Sequence, residues 1–219
     1  MDSLPEIVSK EEWERAHEAL LAKEKEAMKA ADALAAERRR QPMTEVSTEF
    51  EFDGPRGRVG FLDLFEGLPQ LALYHFWFPE DGDPCVGCTM FADQIAPPAH
   101  MRARDTAVAL VSRAPQPQIQ SYAERMGWDI PWYTDDLAFQ EAYGTAEYFA
   151  FDVFLRDGER AFHTYRTRSR GVEEIGPVWS FLDRTPMGRQ EEWQDTPAGR
   201  PQSTPYSWWR RHDEYDEKG

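Results

Sequence analysis

The 219-residue chain contains little cysteine, little positive charge and no long apolar segment. Only two residues are cysteine, and 25 Lys and Arg stand against 40 Asp and Glu, which gives a formal net charge of -15. A surface that binds nucleic acid or an anionic membrane needs basic residues, so neither is an expected partner. No run of eighteen apolar residues is present to cross a membrane, and the acidic N-terminal segment lacks the features of a secretory signal. We therefore expect a cytoplasmic protein.

The two cysteines, Cys85 and Cys88, lie three residues apart at the end of a distinctive stretch. An unbroken apolar and aromatic run over residues 71–78 has the pattern of a strand buried on both faces. A loop rich in Pro, Gly and Asp follows, and it places the cysteines at the start of a segment compatible with a helix. In a reducing compartment such a close pair is more often catalytic or metal-binding than a structural disulfide.

Cys85 and Cys88 are the candidate catalytic residues. A helix N-terminus offers unpaired N–H groups and the positive end of the macrodipole, which favour a thiolate over a thiol. Cys85 would attack a disulfide or a sulfenic acid on the substrate, and Cys88 would then resolve the mixed disulfide. The alternatives are two reduced buried cysteines that pack as apolar residues, and a zinc site that draws on His75 or His100. Because the chain has no second cysteine pair, we expect no metal, and we expect no other cofactor.

Further candidates for the site lie near the cysteines in the predicted fold. Leu73, His75 and Trp77 share one face of the buried strand, and His75 is either a proton shuttle or a hydrogen-bonded core histidine. Arg113 follows a second buried strand at the sheet edge where α/β proteins bind ligands, so it either contacts a thiolate or anionic substrate or forms a surface ion pair. Trp77 and Trp132 are candidates for lining a substrate groove, or for packing in the core.

Residues 1–42 are expected to form a helical arm. Ser9 followed by Glu12 is a capping-box pattern, and the segment from Lys10 to about Arg40 contains no Gly or Pro. A narrow apolar stripe runs along this charged helix. Such a stripe fits either a homodimer formed through the N-terminal helix or a helix laid across its own domain.

The middle of the chain, residues 43–184, is expected to form an α/β domain with a mixed central sheet and helices on both faces. The predicted strands cover residues 47–52, 58–64, 71–78, 106–112, 148–155 and 160–167. The predicted helices cover residues 89–95, 100–105, 117–126 and 172–182, and the aromatic segment 128–144 is expected to be irregular. In this order the early strands run parallel, and the later hairpin adds antiparallel strands.

Residues 185–219 are rich in Pro, Gln, Arg, Trp and Gly and show no clear periodicity. We expect an extended C-terminal tail. Its tryptophans, Trp193, Trp208 and Trp209, indicate that parts of it dock onto another surface.

Several short motifs carry a family resemblance. They are Tyr74-His-Phe-Trp77, Cys85-Val-Gly-Cys88, Val111-Ser-Arg-Ala-Pro115, Arg125-Met-Gly-Trp128, Val153-Phe-Leu-Arg-Asp-Gly158 and Leu182-Asp-Arg-Thr-Pro-Met-Gly-Arg189. Together they resemble a family of thioredoxin-like proteins catalogued as a domain of unknown function and described as predicted dithiol-disulfide oxidoreductases. The resemblance covers the chain up to about residue 195. It implies a thioredoxin-like three-layer sandwich and a redox-active cysteine pair, and it implies no known substrate.

The chain also departs from better-known thioredoxin-like proteins. His75 stands where thioredoxins keep a buried carboxylate that shuttles protons, and no proline precedes the hairpin strand, where residues 145–148 are Thr, Ala, Glu and Tyr. Phe78 and Gly82 replace the Pro and Thr of the peroxiredoxin signature.

Function hypotheses from different classes follow from these features. The leading one is a thiol-disulfide oxidoreductase that acts on a protein or small-molecule disulfide and is recycled by a reducing dithiol partner. A thiol peroxidase that uses the same pair on a peroxide is the alternative within the enzyme class. The rival is a non-catalytic interaction protein built on a redox fold.

Overall fold

The computed structural model describes residues 4–143, 145 and 149–215, and these residues form an eight-stranded sheet with helices on both faces. The strands are β1 (Thr44–Val46), β2 (Glu51–Gly54), β3 (Gly57–Gly60), β4 (Gln70–His75), β5 (Thr106–Ser112), β6 (Trp132–Thr134), β7 (Ala150–Asp157) and β8 (Arg160–Arg168). The order across the sheet is β1-β8-β7-β4-β5-β6-β2-β3.

The described α-helices are short except for the first. They are α1 (Lys10–Arg38), α2 (Val86–Ala92), α3 (Pro98–Arg102), α4 (Gln116–Met126), α5 (Leu137–Ala142) and α6 (Pro177–Leu182). Three 3-10 helices add to these, at Phe61–Phe65, Ser169–Ile175 and His212–Glu214.

The centre of the sheet has the thioredoxin-like arrangement that the sequence predicted. Strand β4 pairs in parallel with β5 and antiparallel with β7, and β7 pairs antiparallel with β8. Helices α2 and α3 connect β4 to β5, α4 follows β5, and α6 follows β8. A parallel pair needs such a crossover connection, whereas β7 and β8 are joined by a tight turn in which Gly158 has a φ of 61°.

A separate hydrophobic core covers each face of the sheet. On one face Tyr74 of β4 and Phe76, which directly follows the strand, pack with α2, α4 and α6, and this core contains Cys88. On the other face Leu71 and Leu73 pack with the 3-10 helix at Phe61–Phe65 and with α5. Because consecutive strand residues point to opposite faces, β4 contributes side chains to both cores. Its side chains on the first face pack in the same core as Cys88.

Several predicted boundaries are wrong, and the structure gives the local reasons. The strand predicted over 58–64 ends at Gly60, because the Asp63 carboxylate accepts a hydrogen bond from the Gly60 N–H at 2.8 Å and turns residues 61–65 into a 3-10 helix. The strand predicted over 47–52 begins only at Glu51. The helix predicted over 172–182 is divided before Pro177, whose missing N–H suits the first turn of a new helix.

The region predicted to be irregular contains two regular elements, β6 and α5. Asp136 caps α5 by accepting a hydrogen bond from the Phe139 N–H at 2.8 Å. The helix predicted after the cysteines begins earlier, at Val86, and α3 begins at Pro98. Tyr148, which was predicted to lie at the start of the hairpin, lies outside the described residues.

Helix α1 begins with the predicted capping box. The Ser9 Oγ accepts a hydrogen bond from the Glu12 N–H at 3.2 Å, and the Ser9 N–H donates to the Glu12 carboxylate at 3.0 Å. None of the helix residues is buried, and its apolar side chains, including Leu20 and Met28, are exposed. Among the described residues no helix is both long enough and apolar enough to span a bilayer.

The C-terminal tail, residues 185–215 as the structure describes it, is folded around a buried carboxylate of its own, and the Arg211 guanidinium attaches it to the domain through the Pro84 carbonyl. Glu191 is only 1% exposed and accepts hydrogen bonds from the indole N–H groups of Trp193 and Trp208, the latter at 2.7 Å. It also accepts from the Tyr206 backbone N–H at 2.9 Å. A buried carboxylate is stable when its oxygens are satisfied in this way, so Glu191 fixes the path of the tail.

Candidate redox site

Cys85 and Cys88 lie at the first turn of α2, directly after the central strand. The Cys85 N–H donates a hydrogen bond to the Trp77 carbonyl at 2.9 Å, which closes the loop between β4 and α2. Cys85 is the N-cap residue, and its Sγ accepts a hydrogen bond from the Cys88 N–H at 3.4 Å. Cys85 is partly exposed and Cys88 is fully buried, and both are free thiols. The predicted position of the pair at a helix start is confirmed.

The surroundings of Cys85 favour its ionised form. The Cys88 thiol donates a hydrogen bond to its sulfur, the N–H groups of Cys88 and Gly87 also point to it, and Arg211 adds a positive charge. These effects outweigh the opposing effect of burial and lower the pKa of Cys85 from 9.0 to about 6. At neutral pH Cys85 is therefore mainly a thiolate, which is the reactive form of cysteine.

Cys88 has the opposite environment. Burial raises its pKa well above 9.0, and donation of its proton toward Cys85 raises it further. The Trp77 N–H approaches its sulfur at 3.4 Å, but this contact does not reverse the effect. One cysteine is thus set up to attack, while the other keeps its proton until the first step is complete.

The C-terminal tail supplies a cation to the site. The guanidinium of Arg211 donates to the Pro84 carbonyl at 3.0 Å and to the Tyr122 hydroxyl at 3.0 Å. Tyr122 in turn lies 2.7 Å from the Thr89 hydroxyl, which donates to the Cys85 carbonyl at 2.9 Å. Sequence reasoning missed Arg211, because it is 127 positions from Pro84 and only the tryptophans beside it indicated docking.

Replacing Arg211 with glutamine is expected to raise the pKa of Cys85, because a positive charge that favours the thiolate is lost. The change can be measured as the pH dependence of thiolate absorbance near 240 nm. Arg210→Gln is the matched control, since Arg210 is exposed and its described side-chain contacts are to tail carbonyls. An unchanged midpoint in Arg211→Gln would show that the tail does not act on Cys85.

His75 is not brought to the cysteines. Its side chain lies on the opposite face of β4 from Tyr74 and stacks on Phe139 of α5. The His75 Nδ1 lies 3.1 Å from the Thr145 hydroxyl, and its Nε2 lies 2.8 Å from the Asp152 carboxylate. Burial lowers the pKa of His75, although Asp152 acts in the opposite direction. The structure therefore places His75 in a buried polar cluster, and its role as a proton shuttle stays a prediction.

A cavity of about 440 Å³ lies beside Cys85, and the other predicted binding residues do not line it. Trp77 and Arg113 line a separate cavity of about 150 Å³ together with His75. Arg113 donates to the Asp135 carbonyl at 3.1 Å and to the Glu80 carboxylate at 3.2 Å. Trp132 is only 3% exposed, and its indole N–H donates to the Ser112 hydroxyl at 3.0 Å. The predicted groove with Trp132 is replaced by an aromatic core in which this side chain is enclosed.

Within residues 4–143, 145 and 149–215, no group of three or more His, Cys, Asp or Glu side chains is arranged to hold a metal ion.

The mixed sheet centred on β4, with a Cys-x-x-Cys pair at the start of the next helix, defines a protein with a thioredoxin-like fold. The chain belongs to the family described as "Bacterial protein of unknown function (DUF899)", whose model matches residues 2–215. No curated protein matches the chain.

Solved structures similar to this chain include three with redox names. A mutant peroxiredoxin Q of Xanthomonas campestris is 13% identical and has a TM-score of 0.44, with 64% of this chain and 98% of that chain covered. A putative thiol:disulfide interchange protein DsbE of Chlorobium tepidum is 14% identical, with a TM-score of 0.44 and coverage of 62% and 93%. A putative thioredoxin of Neisseria meningitidis is 17% identical, with a TM-score of 0.41 and coverage of 66% and 93%.

Proposed function

We propose that this protein is a thiol-disulfide oxidoreductase in which Cys85 is the nucleophile and Cys88 is the resolving thiol. The observation that carries the proposal is the asymmetry of the pair. Cys85 is accessible and has a pKa lowered to about 6, whereas Cys88 is buried and has a raised pKa. A nucleophile must be accessible and ionised, as Cys85 is. A resolving thiol reacts only after the mixed disulfide has formed, so a buried cysteine that keeps its proton, such as Cys88, suits that role.

The proposed cycle transfers two electrons from the pair to the substrate. The Cys85 thiolate attacks a substrate disulfide, forms a mixed disulfide and expels one substrate thiolate. Cys88 gives its proton to the departing sulfur of the substrate and attacks Cys85, which forms the Cys85–Cys88 disulfide and releases the second thiol. A dithiol partner, in the cytoplasmic location expected from the sequence, then reduces the pair.

The proposal is tested by counting thiols before and after treatment of the reduced protein with a disulfide, and again after addition of a dithiol reductant. We expect two thiols, then none, then two. Two thiols of ordinary pKa that stay reduced would instead favour the non-catalytic interaction protein. Insulin reduction and peroxide consumption, each compared with Cys85→Ser, separate the disulfide chemistry from the thiol peroxidase alternative.

We also propose that α1 joins two copies of the chain in antiparallel orientation. The helix has no buried residue, its apolar stripe is exposed, its first turn carries Glu11 and Glu12, and its last turn carries Arg38. Antiparallel pairing would bury the stripe and set the acidic start of one helix beside the basic end of the other.

The substitutions Leu20→Glu and Met28→Glu are expected to convert a dimer into a monomer, because each places a charge in the middle of the proposed seam. Light scattering coupled to size exclusion gives the mass directly. Glu18→Gln serves as the control, because Glu18 is exposed and lies on the opposite face of the same helix from the apolar stripe. A wild-type protein that is monomeric at micromolar concentration would refute the dimer.

A further inference from the structure

A cavity of about 440 Å³ lies beside Cys85, on the side of the site that faces the C-terminal tail. Apolar and aromatic side chains supply most of its lining, chiefly Tyr74, Phe91, Phe149, Val172, Trp179 and Trp209. This volume lies within the range of about 300–1,000 Å³ that small-molecule pockets occupy. The reactive sulfur therefore borders a space that suits a small apolar group.

The tail forms the roof of this cavity and approaches the cysteine helix closely. A Cβ atom at Gly87 would lie 2.7 Å from the Trp209 ring, so only glycine allows this contact. The Trp209 ring also packs on Trp179, with centroids 5.8 Å apart, and on Tyr206, at 4.6 Å. Because Arg211 attaches the tail to the Pro84 carbonyl and Trp209 packs on Trp179 of α6, the disulfide of a folded protein would have to displace the tail to reach Cys85.

The two tryptophans that line the cavity have buried indole N–H groups. The indole Nε1 atoms of Trp179 and Trp209 are buried, and neither has a hydrogen-bond partner among the described residues. Both nitrogens are enclosed by protein atoms, so the ring surface that these two tryptophans contribute to the cavity is carbon and adds to its apolar lining.

The charged residues of the lining are already engaged with other protein groups. Arg170 stacks over the Trp193 ring at 3.7 Å from its centroid and lies 3.9 Å from the Glu173 carboxylate. Glu173 also accepts a hydrogen bond from Arg189 at 2.5 Å. With these charges paired and a net charge of -15 on the chain, the cavity favours an uncharged group over an anionic one.

We propose that the substrate is a small organic disulfide whose uncharged, largely apolar substituent enters this cavity. This inference rests on the proposed thiol-disulfide chemistry and names its substrate class. The Cys85 thiolate displaces one half of the disulfide as a thiolate, and Cys88 then displaces the other half, which takes the Cys88 proton and leaves as a thiol. The two electrons lost by the cysteine pair equal the two gained by the substrate.

The test compares two disulfides that share one carbon skeleton. The reduced protein is mixed with dimethyl 3,3′-dithiodipropionate, which is neutral, or with the 3,3′-dithiodipropionate dianion, and formation of the Cys85–Cys88 disulfide is timed. Each rate is divided by the rate of the same reagent with dithiothreitol, which corrects for intrinsic reactivity. We expect the neutral ester to be favoured by at least about tenfold after this correction, since a carboxylate would lose its hydration in an apolar cavity. Insulin should be reduced more slowly than the ester.

The variant Trp209→Ala removes the roof and is expected to abolish the preference for the ester while it increases the rate with insulin. Trp13→Ala is the control, because Trp13 is an exposed tryptophan on α1 and should leave both rates unchanged. If Trp209→Ala fails to fold, the corrected rates of ester and dianion with the wild-type protein still test the proposed substrate class. Equal corrected rates for ester and dianion, or faster reduction of insulin, would overturn the substrate class and leave the redox function intact. Failure of every disulfide to oxidise the pair would overturn the proposed function itself.

Discussion

In the Cys88→Ser variant the first half of the reaction is expected to proceed and the second half to stop, so that half of the substrate remains covalently attached to Cys85. The reason is that the thiolate at Cys85 forms the mixed disulfide, whereas a serine hydroxyl cannot displace it. Turnover should fall to the uncatalysed rate. Mass spectrometry of the intact protein measures the adduct, and peptide mapping assigns it to Cys85.

The Cys85→Ser variant is the matched comparison for the covalent adduct expected in Cys88→Ser. It should also lose turnover, but it should form no adduct at neutral pH, because Cys88 is buried and its pKa is raised. An adduct on Cys88 in this variant, formed as fast as the one on Cys85, would reverse the assigned roles. Turnover that survives the loss of Cys85 would remove the redox account altogether.

Replacing Asp152 with asparagine is expected to lower the free energy of unfolding by about 3–5 kcal/mol, the usual cost of breaking a buried ion pair. Asp152 is fully buried on β7. Its carboxylate accepts two hydrogen bonds from Arg166 at 2.6 Å and lies 2.8 Å from His163 and His75. An asparagine would leave the Arg166 guanidinium without its charge partner. Urea denaturation measures the change, with Asp53→Asn as the control, because Asp53 is exposed and its carboxylate lies 3.5 Å from Arg58.

The pH dependence of this effect has a defined sign. Burial alone would raise the pKa of Asp152, but the hydrogen bonds from His163, His75 and Arg166 outweigh it and lower the pKa well below 3.8. A group with a lowered pKa stabilises the fold above its unfolded pKa and loses that contribution as the pH falls toward the folded value. The stability difference between wild type and Asp152→Asn should therefore be largest at neutral pH and should shrink below about pH 4.

The same variant separates the buried cluster from the redox site. Asp152 and His75 contact each other on the face of β4 that does not carry the cysteines. We therefore expect the pKa of Cys85 to stay at its wild-type value in Asp152→Asn. A shifted Cys85 titration would support the role of His75 as a proton shuttle that its place in the sequence predicted.

The lowered pKa of Cys85 also affects the direction of electron flow. A stabilised thiolate favours the reduced form of the pair, so the Cys85–Cys88 disulfide that forms in the proposed cycle is more easily reduced by the dithiol partner. Arg211 contributes to this effect from the C-terminal tail. We therefore expect the tail to influence both the pKa of Cys85, through Arg211, and the shape of the cavity beside it.

The sequence predicted the central part of the fold because local patterns determine it. The strand over residues 106–112 matches β5 at both ends, and the β7–β8 hairpin with its turn at Asp157 and Gly158 is present. The position of Cys85 at a helix start followed from the loop of Pro and Gly before it. In each case neighbouring residues along the chain carry the signal.

The rest of the site depends on contacts between distant residues, which a single sequence does not reveal. Arg211 reaches Pro84, and Trp209 reaches Gly87, only because the tail folds back over α2. The surroundings of His75 and Trp132 depend on the face of the sheet to which each side chain points and on the helices and loops that pack against that face. Alternation along β4 put His75 opposite Tyr74, but it did not indicate that Asp152 would be its neighbour.

The pH dependence of alkylation of the reduced protein tests the central claim most directly. Iodoacetamide is added at a series of pH values, and mass spectrometry identifies which cysteine has reacted and how fast. We expect modification at Cys85 alone, with a rate that rises to a plateau and has its midpoint near pH 6. A midpoint near the ordinary thiol value of about 8.5, or equal reaction at Cys88, would contradict the account.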